Sequence, residues 1–141
     1  MPSIPMTTLT HILELKGGST TLIWLPDSRL AVLRYDPGTT LRAADGVFLA
    51  ETLTRCIAES GEKFGVLADY TNGRATDAEY RAEARAFFQA HRDVAFVAIF
   101  NASAVIRIAA ELFRVATGIH LTALPDEGAA RSWLRSKGIA A

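Results

Sequence analysis

Residues 94–106 read VAFVAIFNASAVI, and this stretch decides the fold class. Val94–Phe100 is continuously apolar, which is typical of a strand that is covered on both faces in a parallel sheet. Asn101-Ala102-Ser103 follows as a helix start, and the predicted helix runs to Thr117 with Gly118 as its stop. The whole stretch is shorter than the roughly 18–20 residues that a membrane-spanning helix needs. It therefore predicts one strand and one helix of an α/β fold.

Similar strand and helix patterns flank this stretch. Phe64–Ala68 and Ile119–Ala123 are two more apolar runs bounded by polar or turn residues. The intervening patterns have helical spacing, and their predicted inward faces are Ala44, Val47, Phe48, Leu53 and Ile57 in the first helix and Tyr80, Ala84, Phe87 and Phe88 in the second. Because the crossovers are as long as a helix, we expect these strands to pair in parallel.

The ends of the helices carry local signals. Ser60-Gly61 is predicted to cap the first helix, and a capping box of Thr76 and Glu79 is predicted to open the second, which runs to about Ala90. Asp126 is predicted to cap a last helix, which carries Trp133 and Leu134 and ends at Gly138.

The first third of the chain predicts an antiparallel meander. Its strands are His11–Leu15, Thr20–Leu25 and Leu30–Tyr35, separated by turn residues. The predicted order is therefore β-β-β-α-β-α-β-α-β-α, a mixed sheet with helices packed on it. We expect one α/β domain over residues 1–141, with residues 1–9 as a flexible N-terminal tail.

Composition narrows the classes of partner. The 141 residues include 15 basic and 15 acidic side chains, so the net charge is zero and no basic face for nucleic acid is indicated. A neutral chain has little self-repulsion to oppose association, which is compatible with a dimer. Cys56 is the only cysteine and is expected to be a small buried side chain in a helix. The N-terminus has no signal-peptide pattern, so we expect a cytoplasmic protein.

Motifs for catalysis and metal binding do not stand out. The three histidines are far apart in sequence, and no glycine-rich phosphate loop, paired-cysteine motif or nucleophile elbow occurs. The sequence therefore predicts no metal site, no cofactor and no enzymatic activity.

Polar residues that follow the apolar strands form the candidate binding site. The carboxyl ends of parallel strands meet at one edge of an open sheet, where ligands commonly bind. Backbone N–H groups at a helix start can hold an anion, with an arginine one turn further along. The predicted ligand-binding or partner-binding residues are Asp69, Asn72, Asn101, Ser103 and Arg107. The competing interpretation is that these residues terminate strands and cap a helix, for conformational reasons alone.

The helix Ser103–Thr117 is too apolar for an isolated surface helix. Arg107, Glu111 and Arg114 form one narrow polar stripe, and nearly all of its other positions after the cap are apolar. Another helix of the same domain, a second subunit or a lipid would cover the rest. For a chain without net charge we expect a homodimer interface, since the basic amphipathic pattern of a membrane-surface helix is missing.

Three segments carry a resemblance to a known family. They are Val66-Leu67-Ala68-Asp69, the stretch from Val94 to Arg107 and Ala129-Ala130-Arg131-Ser132-Trp133-Leu134. With the element order, they resemble the STAS-like family of bacterial proteins, in its SpoIIAA-like (STAS/CRAL-TRIO-like) branch, over roughly residues 10–138. The resemblance implies a STAS-like mixed sheet.

The resemblance also implies three functions. Anti-sigma-factor antagonists of this family carry an Asp-Ser pair whose serine is phosphorylated. The matching segment here is Gly73-Arg74-Ala75-Thr76-Asp77, where only Thr76 could accept a phosphate. We expect a non-enzymatic binding or regulatory module that acts through a protein partner or a small ligand. The alternatives are a carrier of lipids or small apolar ligands of CRAL-TRIO-like type, with a pocket beneath the Ser103–Thr117 helix, and a phospho-switched antagonist.

Overall fold

The structure is a computed structural model that describes residues 11–58 and 60–141. The predicted tail over residues 1–9 lies outside the described residues. The strands are β1 Leu13–Gly17, β2 Thr20–Leu25, β3 Leu30–Tyr35, β4 Thr39–Leu41, β5 Phe64–Asp69, β6 Gly73–Thr76, β7 Ala95–Phe100 and β8 His120–Leu124. The helices are α1 Ala43–Ile57, α2 Ala78–Ala90, α3 Ala104–Thr117 and α4 Glu127–Ser136. The fold of the described residues is therefore α/β.

The main sheet has six strands in the order β1-β2-β3-β5-β7-β8. The first three strands pair antiparallel, whereas β5, β7 and β8 continue the sheet in parallel. The predicted meander and the predicted parallel pairing are both confirmed. The first strand begins at Leu13 rather than His11 and extends to Gly17.

Two short strands were not predicted. Thr39–Leu41 pairs in parallel with Gly73–Thr76, in a separate two-stranded sheet. The sequence pattern predicts no strand in either segment, because segments of three or four residues are too short to show the alternation that identifies a strand. The element order therefore contains two more strands than predicted.

Both faces of the main sheet are covered. Alternate residues of β5 and β7 point to opposite sides, as in any strand. Val66 and Val97 belong to a core with α1, α2 and α3, whereas Leu67 and Ala98 belong to a core with α4. Burial on both faces of the sheet therefore accounts for the continuous apolar runs, as predicted.

The helix α1 presents a different face from the predicted one. Leu53 and Ile57 are buried as expected, but Ala44 and Val47 are exposed. The cause is Asp45, whose carboxylate accepts hydrogen bonds from Ser19 N and Thr20 Oγ1, each at 2.8 Å, and from Arg42 N at 3.1 Å. A buried carboxylate must be hydrogen-bonded, so these three donors set the rotation of the helix, which apolar spacing does not reveal.

The other end of α1 also differs from the prediction. The helix ends at Ile57 and its C-cap is Ala58, which has a left-handed backbone with φ of 52°. The predicted cap at Ser60-Gly61 is therefore wrong. Cys56 is buried as expected, and burial raises the pKa of its thiol to about 12.

The remaining helices agree closely with the sequence patterns, with one exception. The residues of α2 that were expected to face inward are its buried residues, but its N-cap is Asp77, whose Oδ1 accepts from Tyr80 N at 2.8 Å. The capping box that begins at Thr76 is therefore wrong by one residue. Ser103 caps α3, Gly118 ends it and Asp126 caps α4, as predicted. No helix in the described part of the chain is long and apolar enough to cross a membrane.

Candidate functional site

Asp69 and Asn101 meet at one edge of the sheet, as predicted from the parallel strands. Asp69 pairs with Phe100 in the register of β5 and β7. Thr71 joins the two polar residues: Asp69 Oδ1 accepts from Thr71 N at 2.9 Å and from Thr71 Oγ1 at 2.6 Å, and Asn101 Nδ2 donates to Thr71 Oγ1 at 3.0 Å. We call Asp69, Thr71 and Asn101 the rim cluster. The candidate residues named from the sequence did not include Thr71, because its role depends on the fold of the loop.

The other three predicted residues do not join the rim cluster. Asn72 Nδ2 donates to the Tyr35 carbonyl at 3.2 Å and so holds the loop against β3. The Ser103 hydroxyl accepts from Ile106 N at 3.3 Å, as an N-cap does. Among the described residues, no side-chain hydrogen bond or ion pair connects Ser103 or Arg107 to the rim cluster. These contacts agree with the interpretation that the polar residues end strands and cap a helix. Anion binding at this edge of the sheet stays a prediction.

A cavity of about 90 Å³ lies elsewhere, between the inner face of the sheet and the helices α2 and α3. Its walls are almost entirely apolar and include Ala84 and Phe88 from α2, Val97 and Ile99 from β7, and Ile106 and Ala110 from α3. The exposed Arg81 also lines it, so the cavity reaches the surface on that side. The sequence had suggested a pocket beneath α3 as the alternative to an interface, and the cavity lies at that place.

All three tyrosines of the chain line this cavity. Tyr35 is the last residue of β3, Tyr70 follows β5, and Tyr80 lies in the first turn of α2. The Tyr35 and Tyr70 rings pack edge to face with their centroids 5.0 Å apart. We call these residues the tyrosine cluster, and each of them is buried.

Within the tyrosine cluster, Tyr35 has a hydroxyl group that is fully buried. Tyr35 is only 5% exposed, and its hydroxyl is buried beside those of Tyr70 and Tyr80, with no partner at hydrogen-bond distance among the described residues. Burial raises the pKa of all three phenols above the usual value, and for Tyr35 and Tyr80 well above it. At neutral pH the three hydroxyls are therefore uncharged.

The cavity opens to the surface beside the polar residues Arg81 and Thr76, and we call this opening the mouth. Arg81 lies one turn into α2 and donates through Nη1 to the backbone carbonyl and the hydroxyl of Thr76. Thr76 is the last residue of β6, so the two-stranded sheet of β4 and β6, which the sequence did not predict, forms part of this mouth. Arg81 is the only charged residue among those that line the cavity. The lining of the cavity therefore combines apolar side chains with the three tyrosines, Thr76 and the guanidinium of Arg81.

Sequence patterns had identified only part of this site. The sequence predicts Tyr80 on the inward face of α2 and Tyr35 at the end of a strand, and it gives Tyr70 no role. The alternation in β3 carries the missing signal, since Leu33 and Tyr35 must share the inner face of the sheet.

Searches of protein-family models, curated proteins and solved structures find no match to this chain. The resemblance to the STAS-like family therefore stays a prediction.

Proposed function

We propose that this protein is a non-enzymatic binding module that holds a small, mainly apolar molecule in the cavity beneath α2 and α3. The observation that carries the proposal is an apolar cavity that is lined by the three tyrosines and opens to the surface beside Arg81. Ligand sites are typically concave and apolar, with a few polar groups that orient the ligand. The proposal corresponds to the carrier of lipids or small apolar ligands that the STAS-like resemblance implies as an alternative.

The size of the cavity limits the ligand. An apolar cavity of about 150 Å³ in another protein takes up benzene. A space of about 90 Å³ is smaller, so it encloses only part of such a ring, and the rest of the ligand lies in the opening toward Arg81.

Filling the cavity tests the proposal. Methylenecyclohexane is a suitable apolar probe, and its binding can be followed by ligand-observed NMR. We expect Ala84→Leu to weaken binding at least tenfold, because Ala84 lines the cavity and the larger side chain takes up its space. The matched control is Ala86→Leu, an exposed position on the same helix, which should bind as the parent does. Absence of binding to the parent protein would refute the proposal.

A homodimer is supported by the outer side of α3. Val105, Ile108, Leu112 and Val115 are 63–70% exposed. Their spacing of three, four and three residues is the one that lets two helices pack side by side. A second copy of the same helix presents the same stripe, so a two-fold pairing would bury both. We therefore assign a second copy of the chain as the occupant of this face.

The dimer has its own test. Leu112→Arg places a charge in the middle of the stripe and should give a monomer by sedimentation velocity, while Arg107→Ala, beside the stripe, should not change the mass. A parent protein that is monomeric at high concentration would rule out the dimer. A regulatory protein partner at the rim cluster remains a further proposal. Phosphorylation of Thr76 is another, and phosphoproteomics tests it.

A further inference from the structure

We infer that the ligand is a small monocarboxylate with an apolar ring or chain, which pairs its carboxylate with the guanidinium of Arg81 at the mouth of the cavity. This inference rests on the proposed function, since it names the class of ligand for the same cavity. It also gives the orientation of the ligand, because the hydrocarbon part then lies inside, against the sheet and the helices α2 and α3.

The first argument is the position of Arg81. This residue is exposed, lies one turn into α2 and lines the cavity at its mouth. All other residues of the lining are apolar side chains, the three tyrosines or Thr76. A ligand held in the cavity therefore meets a charged group of the lining at one place, which is the mouth.

The second argument is the hydrogen bonding of the guanidinium. Arg81 Nη1 donates to the backbone carbonyl of Thr76 and to its hydroxyl, the latter at 3.0 Å, so the last residue of β6 holds the group in place. Nε and Nη2 donate to no group among the described residues, and none of the ion pairs found there includes Arg81. These two nitrogens share one edge of the planar guanidinium. A carboxylate accepts two parallel hydrogen bonds from such an edge.

The third argument concerns the charge of the ligand. An ion inside the apolar part of the cavity would lose its hydration without gaining an opposite charge, which is strongly unfavourable. At the mouth, the guanidinium attracts an anion and repels a cation. One positive charge balances one negative charge, so a carboxylate fits this site better than a phosphate monoester, which carries nearly two negative charges at neutral pH.

The size of the cavity agrees with this class of ligand. Its space of about 90 Å³ encloses part of a six-membered ring, so a group attached to the ring lies in the opening beside Arg81. Because Arg81 is exposed, a carboxylate there keeps part of its contact with water and does not bear the full cost of burial. A short hydrocarbon body with one carboxylate at its end thus satisfies both parts of the site.

Two probes of the same shape test the inference. Cyclohexanecarboxylate and cyclohexanecarboxamide have the same ring and a planar polar group of similar size, but only the first is charged. Ligand-observed NMR titration gives the dissociation constant of each probe with the parent protein and with Arg81→Gln. The quantity to compare is the ratio of the two constants, since the different hydration of the probes cancels between the two proteins. We expect the preference for the carboxylate to fall about three- to tenfold in Arg81→Gln, as for a charged hydrogen bond at an exposed site.

Arg92→Gln is the matched control, since it removes an exposed arginine that does not line the cavity. It should leave the ratio unchanged, and the melting temperature of both variants shows whether they fold. An unchanged ratio in Arg81→Gln, or an equal fall in Arg92→Gln, would overturn the inference, while binding of methylenecyclohexane would still support the proposed function. If the parent protein binds neither of these probes nor methylenecyclohexane, the proposed function itself is refuted.

Discussion

Raising the pH should unfold this protein through its buried phenols and its thiol. Burial raises the pKa of Tyr35 and Tyr80 well above the usual value and that of Cys56 to about 12. In the unfolded chain, tyrosine ionises near pH 10 and cysteine near pH 8.5. The folded state then holds protons that the unfolded state has lost. Stability from these groups is therefore complete below the unfolded pKa and decreases as the pH rises above it.

The size of the effect follows from the same shifts. One pKa unit corresponds to about 1.4 kcal/mol. At about pH 11, the Cys56 thiol that keeps its proton in the fold lowers the free energy of unfolding by roughly 3 kcal/mol, and the buried phenols lower it further. The contribution of the thiol alone is a large part of the stability of a typical domain, about 5–15 kcal/mol. We expect the fold to be lost near this pH.

Two optical signals recorded on one sample test this expectation. The near-ultraviolet absorbance of tyrosinate should increase in one step above pH 10, together with the loss of the far-ultraviolet circular dichroism. Tyr35→Phe should unfold at a higher pH, because it has one fewer group to ionise. If tyrosinate forms near pH 10 while the circular dichroism is unchanged, the phenols ionise within the fold and the buried tyrosine cluster is wrong.

Two further changes test single side chains. Asp45→Ala removes the acceptor of three hydrogen bonds, one of them to a buried hydroxyl, and should lower the free energy of unfolding by about 3–5 kcal/mol in urea titrations. Asp36→Ala, which breaks an exposed ion pair with Lys16, should lower it by less than about 1 kcal/mol, and equal effects would contradict the role of Asp45. Arg107→Ala should weaken phosphate binding, measured by NMR, without lowering the melting temperature. A lower melting temperature with unchanged phosphate binding would make Arg107 structural.

The sequence predicted correctly those strands and helices whose patterns lie within a few neighbouring residues. The strands β2 and β3 have the predicted bounds, and α3 lies between its predicted caps Ser103 and Gly118. Apolar runs, turns and caps act over a few residues, so they can be identified in the sequence. In contrast, β4 and β6 depend on each other across more than thirty residues of chain, as Thr39 pairs with Gly73. Such pairing has no local pattern.

The rotation of α1 about its axis could not be predicted from local patterns either, but for a different reason. Apolar spacing favoured a face with Ala44 and Val47, whereas Asp45 is buried by its bonds to the β1–β2 turn and β2. The decisive partners, Ser19 and Thr20, are distant in sequence and ordinary in type. A buried polar contact overrides the apolar pattern because leaving the carboxylate unpaired would cost more than exposing two small side chains.

The tyrosine cluster and its cavity follow from strand order, and this is the step that sequence patterns did not reach. Leu33 pairs with Ala68 in the register of β3 and β5, so the residues two positions further, Tyr35 and Tyr70, reach the same place on the inner face. Once β3 and β5 are known to be neighbours, their meeting is a consequence of the alternation. Ala84 and Ala110 face the cavity from α2 and α3. Because their side chains are small, the helices and the sheet enclose a space, and the phenols form part of its wall.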